Sequence, residues 1–239
     1  MSNFVIRGKN SRDSIPGRSV RTELKKQRRR LLKRGPSALD DDELIETLLF
    51  SIISSHRARR VTKRLLEAYG SISAILVSDF ETLRRIPGLK KREISFLLST
   101  KAMSDRAAVE HLQERSIIEN WDALLTYVRQ KMVHNKREQV RVLFLDRKNR
   151  LISDQVMSDG TVDHAPVYPR EIARRALELS ASGLVLVHNH PSGDPAPSRA
   201  DISMTRDLID ALTVFEIVVH DHLIVGRNAI ASMKQLDLI

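Results

Sequence analysis

Residues 183–201, GLVLVHNHPSGDPAPSRAD, join a short apolar run to a loop and a helix start, and they decide the fold of the second half of the chain. The run from Gly183 to Val187 is apolar throughout, which is typical of a short buried strand. Residues 191–197, PSGDPAP, contain too much proline and glycine to be helical. A helix then begins after Ser198, so the sequence predicts a strand, a rigid loop and a helix in that order.

Four polar residues of this stretch form a candidate metal site. His188 and His190 lie two residues apart at the strand end, so both side chains point to the same face of the sheet. Asp201 follows Ser198 by three residues, on the first helical turn, where its carboxylate can turn back toward the strand. Two imidazoles and one carboxylate leave a fourth tetrahedral position open, as in catalytic zinc sites. A lone histidine is usually a hydrogen-bonded core residue and Ser198 with Asp201 fits a capping box, so it is their combination that predicts metal.

A second His-x-His, at residues 220–222, lacks a carboxylate at the same downstream spacing. We therefore expect it to have a structural role or to contact the metal ligands without binding metal itself. Another metal site is the less favoured interpretation.

Glu138 is the candidate general base. It shares strand parity with Val140, Val142 and Phe144, so it is predicted to point toward the side that these residues bury. A carboxylate is costly there unless it faces a polar site. The alternative is that Glu138 lies in water at a frayed strand start, and periodicity alone slightly favours this alternative.

The remainder of the chain divides into a helical first half and a mixed second half, which predicts an α+β protein. Apolar alternation over residues 140–145 and a turn at Lys148 and Asn149 predict a hairpin. Helices are predicted at 21–34, 40–52, 56–69, 72–77, 79–85, 91–112, 121–134, 169–182 and 199–214. Predicted domains are a basic, flexible leader at 1–35, a helical domain at 36–114 and a mixed domain at 115–239.

The net charge of +10 arises from the leader. Residues 1–35 hold twelve basic and two acidic residues, and the rest of the chain sums to zero. Such a segment suits polyanions, because neutralised phosphates release condensed counterions. A solubilising tail is an equally good interpretation, and an anionic membrane surface is a weaker one.

Residues 83–94, LRRIPGLKKREI, are similar to a helix-hairpin-helix, in which backbone N–H groups contact a DNA phosphate. A second glycine is usual where this chain has lysine, so the close approach to phosphate is in question. A packing element or a protein contact is the alternative. The predicted nucleic-acid residues are Arg84, Arg85, Gly88, Lys90, Lys91 and Arg92.

Composition excludes several classes of protein. A chain with 41% hydrophobic and 29% charged residues is not wholly disordered. Zero cysteines exclude disulfides, thiolate zinc ligands, iron–sulfur clusters and a cysteine nucleophile. No apolar run approaches the roughly 18 residues of a membrane span, and no secretory signal is visible, so we expect a cytoplasmic protein without membrane contact.

Residues 188–201 match the JAMM pattern His-x-His-x(7)-Ser-x(2)-Asp, and with VYPRE upstream and HDHLIVG downstream they resemble the RadC family of bacterial JAB/MPN-domain proteins. The resemblance implies that His188, His190 and Asp201 bind zinc. It implies that Glu138 activates the zinc-bound water and that Ser198 helps to steady the oxyanion. The implied fold joins a helical, helix-hairpin-helix-like region to a curved mixed β-sheet flanked by helices.

The leading hypothesis is therefore a zinc-dependent metallopeptidase or isopeptidase that acts on a peptide or protein. The second is a nucleic-acid-associated protein whose metal centre serves DNA repair, recombination or phosphodiester cleavage, since proteins of this family carry a DNA repair label. The third is a binding module with a non-catalytic site. The sequence leaves the substrate and the oligomeric state open.

Overall fold

The computed structural model describes residues 20–160 and 168–239. Its contacts divide the chain into two compact units between Phe96 and Leu97, a point within helix α6 (Lys91–Glu114). The predicted domain limits at residues 35 and 114 stay predictions.

The first unit is helical. Asp40 and Glu43 form a capping box at the start of the second helix, and Gly70 ends the third with φ of +77°. The helices before α6 are α1 (Val20–Arg34), a 3₁₀ turn (Pro36–Ala38), α2 (Asp41–Phe50), α3 (Ser55–Tyr69), α4 (Ile72–Val77) and α5 (Phe80–Leu83).

Much of the predicted leader lies in α1, which packs within the first unit. Leu24 and Gln27 of this helix are buried, and Arg30 forms an ion pair with Glu43 of α2. Seven basic residues of α1 are exposed: Arg21, Lys25, Lys26, Arg28, Arg29, Lys33 and Arg34. The rest of the predicted leader, residues 1–19, lies outside the described residues.

The second unit contains a five-stranded mixed sheet in the order β2-β1-β3-β4-β5. Strands β3 and β4 are parallel, and every other neighbouring pair is antiparallel. Besides the end of α6, its elements are α7 (Trp121–Met132), β1 (Gln139–Leu145), β2 (Leu151–Asp159), α8 (Pro169–Glu178), β3 (Gly183–Asn189), α9 (Arg199–Thr213), β4 (Val218–Val225) and β5 (Ile230–Ser232). The prediction of an α+β fold with a mixed sheet is confirmed.

Helices cover both faces of the sheet. Leu143 and Val185 pack with α7 in one buried cluster, whereas Phe144 and Leu186 pack with α8 and α9 in another. All seven residues of β3 are buried, because this strand is central and covered on both faces. The alternation places the residues that share parity with Leu186 on the α9 side.

Strand β4 contains a bulge. Leu184 pairs with Val219 and Val185 pairs with Asp221, so His220 is the extra residue on β4. The bulge changes strand parity, which the sequence did not predict. It places Asp221 and His222 in the core, where both are buried.

Among the helices of residues 20–160 and 168–239, none is long and apolar enough to cross a membrane.

Candidate metal centre

The three predicted metal ligands meet at the end of β3. The Nε2 atoms of His188 and His190 are 2.9 Å apart. Asp201 Oδ1 lies 3.4 Å from His188 Nε2, and Asp201 Oδ2 lies 3.6 Å from His190 Nε2. Ligand atoms of tetrahedral zinc, with bonds of about 2.0–2.1 Å, are about 3.3 Å apart. The three residues therefore fit a single zinc ion, with one position left for another ligand.

The loop after β3 is held in place by the end of β4. His190 N–H donates to the carbonyl of Val225, and Arg227 N–H donates to the carbonyl of Gly193. Gly193 has φ of +92°, a conformation that favours glycine. A Cβ on Gly226 would lie 2.6 Å from the carbonyl oxygen of Gly193, so the close approach of these two segments requires glycine.

Asp201 is positioned by the predicted capping box. Ser198 Oγ accepts the N–H of Asp201 at 3.1 Å, and Ser198 N–H donates back to Asp201 Oδ2 at 2.8 Å. The Ser198 hydroxyl also donates to Oδ2 at 2.6 Å. The first turn of α9 thus fixes the carboxylate toward the histidines.

The charges of this group are distributed unevenly. Burial raises the pKa of Asp201, but the neighbouring rings of His190 and His188 and the bonds from Ser198 outweigh it and hold that pKa well below its usual value. The carboxylate of Asp201, 3.6 Å from His190 Nε2, raises the pKa of His190. Burial instead lowers the pKa of His188 to about 4, so His188 is a neutral ligand at neutral pH.

Glu138 lies directly before β1 and is half-buried. Its carbonyl accepts the N–H of Gly160 at 2.9 Å. Its carboxylate is close enough to His190 for its charge to contribute to the raised pKa of that histidine. The role of Glu138 as the general base stays a prediction.

Asn189 is a supporting residue that the sequence analysis missed. Its side chain accepts the N–H of Gln139 at 3.0 Å and donates to the carbonyls of Asn135 at 3.3 Å and Arg137 at 3.0 Å. These bonds hold both sides of Glu138. The only signal in the sequence was an asparagine between the two histidines at the end of an apolar strand.

His222 is the part of the second His-x-His that touches the metal group. Its Nε2 lies 2.7 Å from Nδ1 of His188, and its Nδ1 lies 2.6 Å from Oγ1 of Thr205. Burial lowers its pKa well below the usual value. Thr205, on α9, had no sequence signal.

The predicted hairpin of the first unit lies between α5 and α6, and its six predicted nucleic-acid residues are exposed. Gly88 has φ of +85° and its carbonyl accepts from Arg57 at 2.9 Å. The N–H of Lys90 donates to the buried carboxylate of Glu93 at 2.8 Å, and Arg57 pairs with the same carboxylate at 3.0 Å. A carboxylate of the chain therefore occupies a backbone donor that could otherwise contact phosphate.

Comparison with known proteins identifies the family of the chain. Residues 118–238 match the RadC-like JAB domain family. A UPF0758 protein of Ruegeria pomeroyi is 43% identical over 215 residues, which cover 90% of this chain and 96% of that relative. The matched region contains all three candidate ligands together with Glu138 and Ser198. The chain belongs to the RadC-like JAB-domain family.

Proposed function

We propose that the protein is a zinc-dependent hydrolase of amide bonds, a metallopeptidase or isopeptidase that acts on a peptide or protein. The observation that carries the proposal is the convergence of His188, His190 and Asp201, with Glu138 near enough for its charge to act on His190. Three protein ligands and one open position are typical of catalytic rather than structural zinc. Membership of a JAB-domain family supports the proposal, although the UPF0758 name of the relative assigns no activity.

Each residue of the group would have a separate role in amide hydrolysis. A bound zinc ion would supply a Lewis acid that polarises the substrate carbonyl and lowers the pKa of a water ligand toward about 7. The Glu138 carboxylate would accept a proton from the attacking water and return it to the leaving nitrogen. The Ser198 hydroxyl, which donates to Asp201 Oδ2 at 2.6 Å, would turn to donate to the developing oxyanion.

Amide hydrolysis is favoured over phosphodiester cleavage. Enzymes that displace at phosphate frequently use two metal ions about 3.5–4 Å apart. Within residues 20–160 and 168–239, the described side chains offer a single group of three His, Asp or Glu ligands. A single zinc with a neighbouring carboxylate is better suited to a carbonyl substrate.

The decisive experiment measures zinc in untagged protein by inductively coupled plasma mass spectrometry. Wild-type protein should hold near-stoichiometric zinc, and His188→Ala and Asp201→Ala should lose it. His56→Ala is the matched control, since His56 is exposed on α3. Wild-type protein that stays metal-free after zinc addition would exclude the hydrolase and favour a non-catalytic binding module.

Catalysis is tested with Glu138→Gln on a panel of peptides and isopeptides. This variant should keep its zinc and lose at least about a hundredfold in turnover, because a general base contributes roughly 10²- to 10⁴-fold. Full activity in zinc-loaded Glu138→Gln would rule out the assigned role.

Nucleic-acid binding is a second candidate function, supported by the seven exposed basic residues of α1. Each phosphate contact that is lost should lower the slope of log affinity against log salt by about 0.9. We expect Lys25→Gln, Lys26→Gln and Arg29→Gln to flatten this slope in duplex DNA binding, and Arg147→Gln with Lys148→Gln, in the turn of the second unit, to leave it unchanged. No binding at low salt would remove this candidate.

A further inference from the structure

The histidine behind the metal group is fully buried and contacted at both ring nitrogens. His222 Nε2 lies 2.7 Å from His188 Nδ1, and His222 Nδ1 lies 2.6 Å from Thr205 Oγ1. Each of these contacts requires one hydrogen, and a neutral imidazole has only one N–H. The two contacts therefore cannot be assigned independently.

The Thr205 hydroxyl fixes the assignment. Its oxygen lies 2.6 Å from the carbonyl oxygen of Asp201, which can only accept, so the hydroxyl hydrogen belongs to that contact. The further contact with Met233 Sδ, at 3.7 Å, is also one in which Thr205 donates. In either case Thr205 Oγ1 is left to accept from His222.

The hydrogen positions of His222 and His188 follow from this assignment. His222 carries its hydrogen on Nδ1, so its Nε2 is an acceptor and Nδ1 of His188 must donate to it. His188 Nε2 then presents a lone pair to His190 and Asp201. In the reverse arrangement Thr205 would donate to His222, and His188 would carry a hydrogen on Nε2, where it would block metal binding.

The reverse arrangement conflicts with the structure. It would place the oxygens of Thr205 and Asp201 2.6 Å apart with no hydrogen between them. His190, the other candidate ligand, needs no intervening pair like Thr205 and His222, because its Nδ1 lies 2.7 Å from the carbonyl oxygen of Asp194. A carbonyl accepts only, so His190 carries a hydrogen on Nδ1, and the second hydrogen of its protonated form would lie on Nε2, in the 2.9 Å contact with His188 Nε2.

We propose that Thr205 and His222 are positioning residues that set the tautomer of His188, so that its Nε2 is ready to bind metal before metal arrives. Thr205 also links two ligands, since it contacts the backbone of Asp201 and, through His222, the ring of His188. The inference rests on the metal-binding part of the proposed function, and it is independent of hydrolysis.

The first test is nuclear magnetic resonance of metal-free protein labelled with ¹⁵N-histidine, using long-range correlations from ring carbon-bound protons to both nitrogens. Wild-type protein should show His188 and His222 with hydrogen on Nδ1. Thr205→Val keeps the size but removes the hydroxyl, and it should move the hydrogen to Nε2 in both rings. Thr205→Ser should keep the wild-type tautomers. A wild-type His188 with hydrogen on Nε2 would overturn the proposal, whether or not any variant folds.

The second test is zinc affinity, measured by competition with a chelator. Thr205→Val should bind zinc about 10- to 100-fold more weakly, the usual effect of losing a residue that orients a ligand. Thr205→Ser should bind as wild type does. His222→Gln should bind more tightly than His222→Leu, because an amide can donate to Thr205 and accept from His188.

The two proposals fail separately. Wild-type protein that cannot bind zinc would exclude the proposed function, while the metal-free tautomers would still decide the role of Thr205 and His222. Unchanged tautomers and unchanged zinc affinity in Thr205→Val would overturn that role and leave the hydrolase standing.

Discussion

At the scale of the residue, the two ligand histidines differ although they lie two residues apart. The His188 side chain is 1% exposed and has a neutral ring behind it, whereas the side chain of His190 is 18% exposed and lies 3.6 Å from a carboxylate. Burial lowers the pKa of the first, and the carboxylate raises the pKa of the second. The same residue type thus titrates in opposite directions at one site.

This difference predicts how the metal-free protein responds to acid. Unfolded His188 takes up a proton below about pH 6.5, but folded His188 does so only near its pKa of about 4. Lowering the pH from 7 to 4 therefore favours unfolding, and the interval between the two pKa values corresponds to about 3 kcal/mol. The raised pKa of His190 acts in the opposite direction.

The contribution of His188 is isolated by comparing wild-type protein with His188→Asn in urea, with chelator present. Between pH 7 and 4, the free energy of unfolding should fall about 2–3 kcal/mol more steeply for wild-type protein. Fluorescence of Trp121, the single tryptophan of the chain, reports on the second unit. Parallel pH profiles would contradict the buried, neutral state of His188.

Asn189→Ala should destabilise the second unit by about 2–3 kcal/mol without loss of zinc. The substitution leaves one N–H and two carbonyls around Glu138 without their partner, and a buried polar group that loses its partner costs about 1–3 kcal/mol. Zinc should be retained, because the Asn189 side chain points away from the face that carries His188 and His190.

Asn135→Ala is the matched control for Asn189→Ala in urea unfolding and zinc analysis. The Asn135 side chain makes a 3.4 Å contact with Gln139, so little change is expected. Loss of zinc in Asn189→Ala at wild-type stability would mean that Asn189 acts on the metal ligands.

Residue identity was a good guide to which side chains meet at the end of β3 and a poor guide to what supports them. The convergence of His188, His190 and Asp201 could be predicted because they are close together in the sequence and their spacing reflects strand and helix geometry. Thr205 and Asn189 make their contacts with segments 17 and about 50 residues away, as the separations in their hydrogen bonds show. Periodicity carries no information about such pairs.

At the scale of the element, the loop after β3 is as tightly specified as the strands. Its backbone is pinned to the end of β4 by two hydrogen bonds, and the contact leaves no room for a side chain at Gly226. The same loop carries the chain from one ligand histidine to Asp201. Local packing and metal geometry are therefore coupled there.

Gly226→Ala should weaken zinc binding and destabilise the second unit by about 1–3 kcal/mol, the usual cost of overpacking. The new Cβ would lie 2.6 Å from the Gly193 carbonyl oxygen and 2.8 Å from Cδ of Pro195, so the loop must shift. Chelator competition measures the affinity.

Gly183→Ala is the matched control at the opposite end of β3. Its Cβ would meet the ring tip of His220 at 2.6 Å, so we expect lower stability with unchanged zinc affinity. Equal zinc affinity in Gly226→Ala and wild-type protein would show that the loop does not set ligand geometry.

Element types followed from sequence more closely than strand pairing did. Helices α3, α4 and α6 start within one residue of their predicted positions, since capping residues and glycine stops are local signals. Strand β5 has three residues, too few for alternation to identify. The bulge at His220 was equally invisible, because it depends on the register with β3.

At the scale of the whole molecule, the metal ligands and the single tryptophan belong to one unit and the exposed basic helix belongs to the other. Under the proposed function, zinc would bind only the folded second unit. Metal should therefore stabilise one part of the chain selectively.

Zinc at a free concentration of about 100 times its Kd should raise the free energy of unfolding reported by Trp121 by about 2.7 kcal/mol. His188→Ala should show no such increase, because it lacks one of the three proposed zinc ligands. The measurement is urea unfolding followed by fluorescence, with and without zinc. An equal increase in His188→Ala would place the stabilising metal elsewhere.

The buried carboxylate beside His222 links the metal centre to the order in which the chain is made. Asp221 accepts hydrogen bonds from the Ser232 hydroxyl and from the N–H of Lys234, and the N–H of Met233 donates to the carbonyl of His222. On the ribosome, these partners emerge after every metal ligand. A nascent chain therefore cannot form these hydrogen bonds of Asp221 and His222 until residues 232–234 have left the exit tunnel.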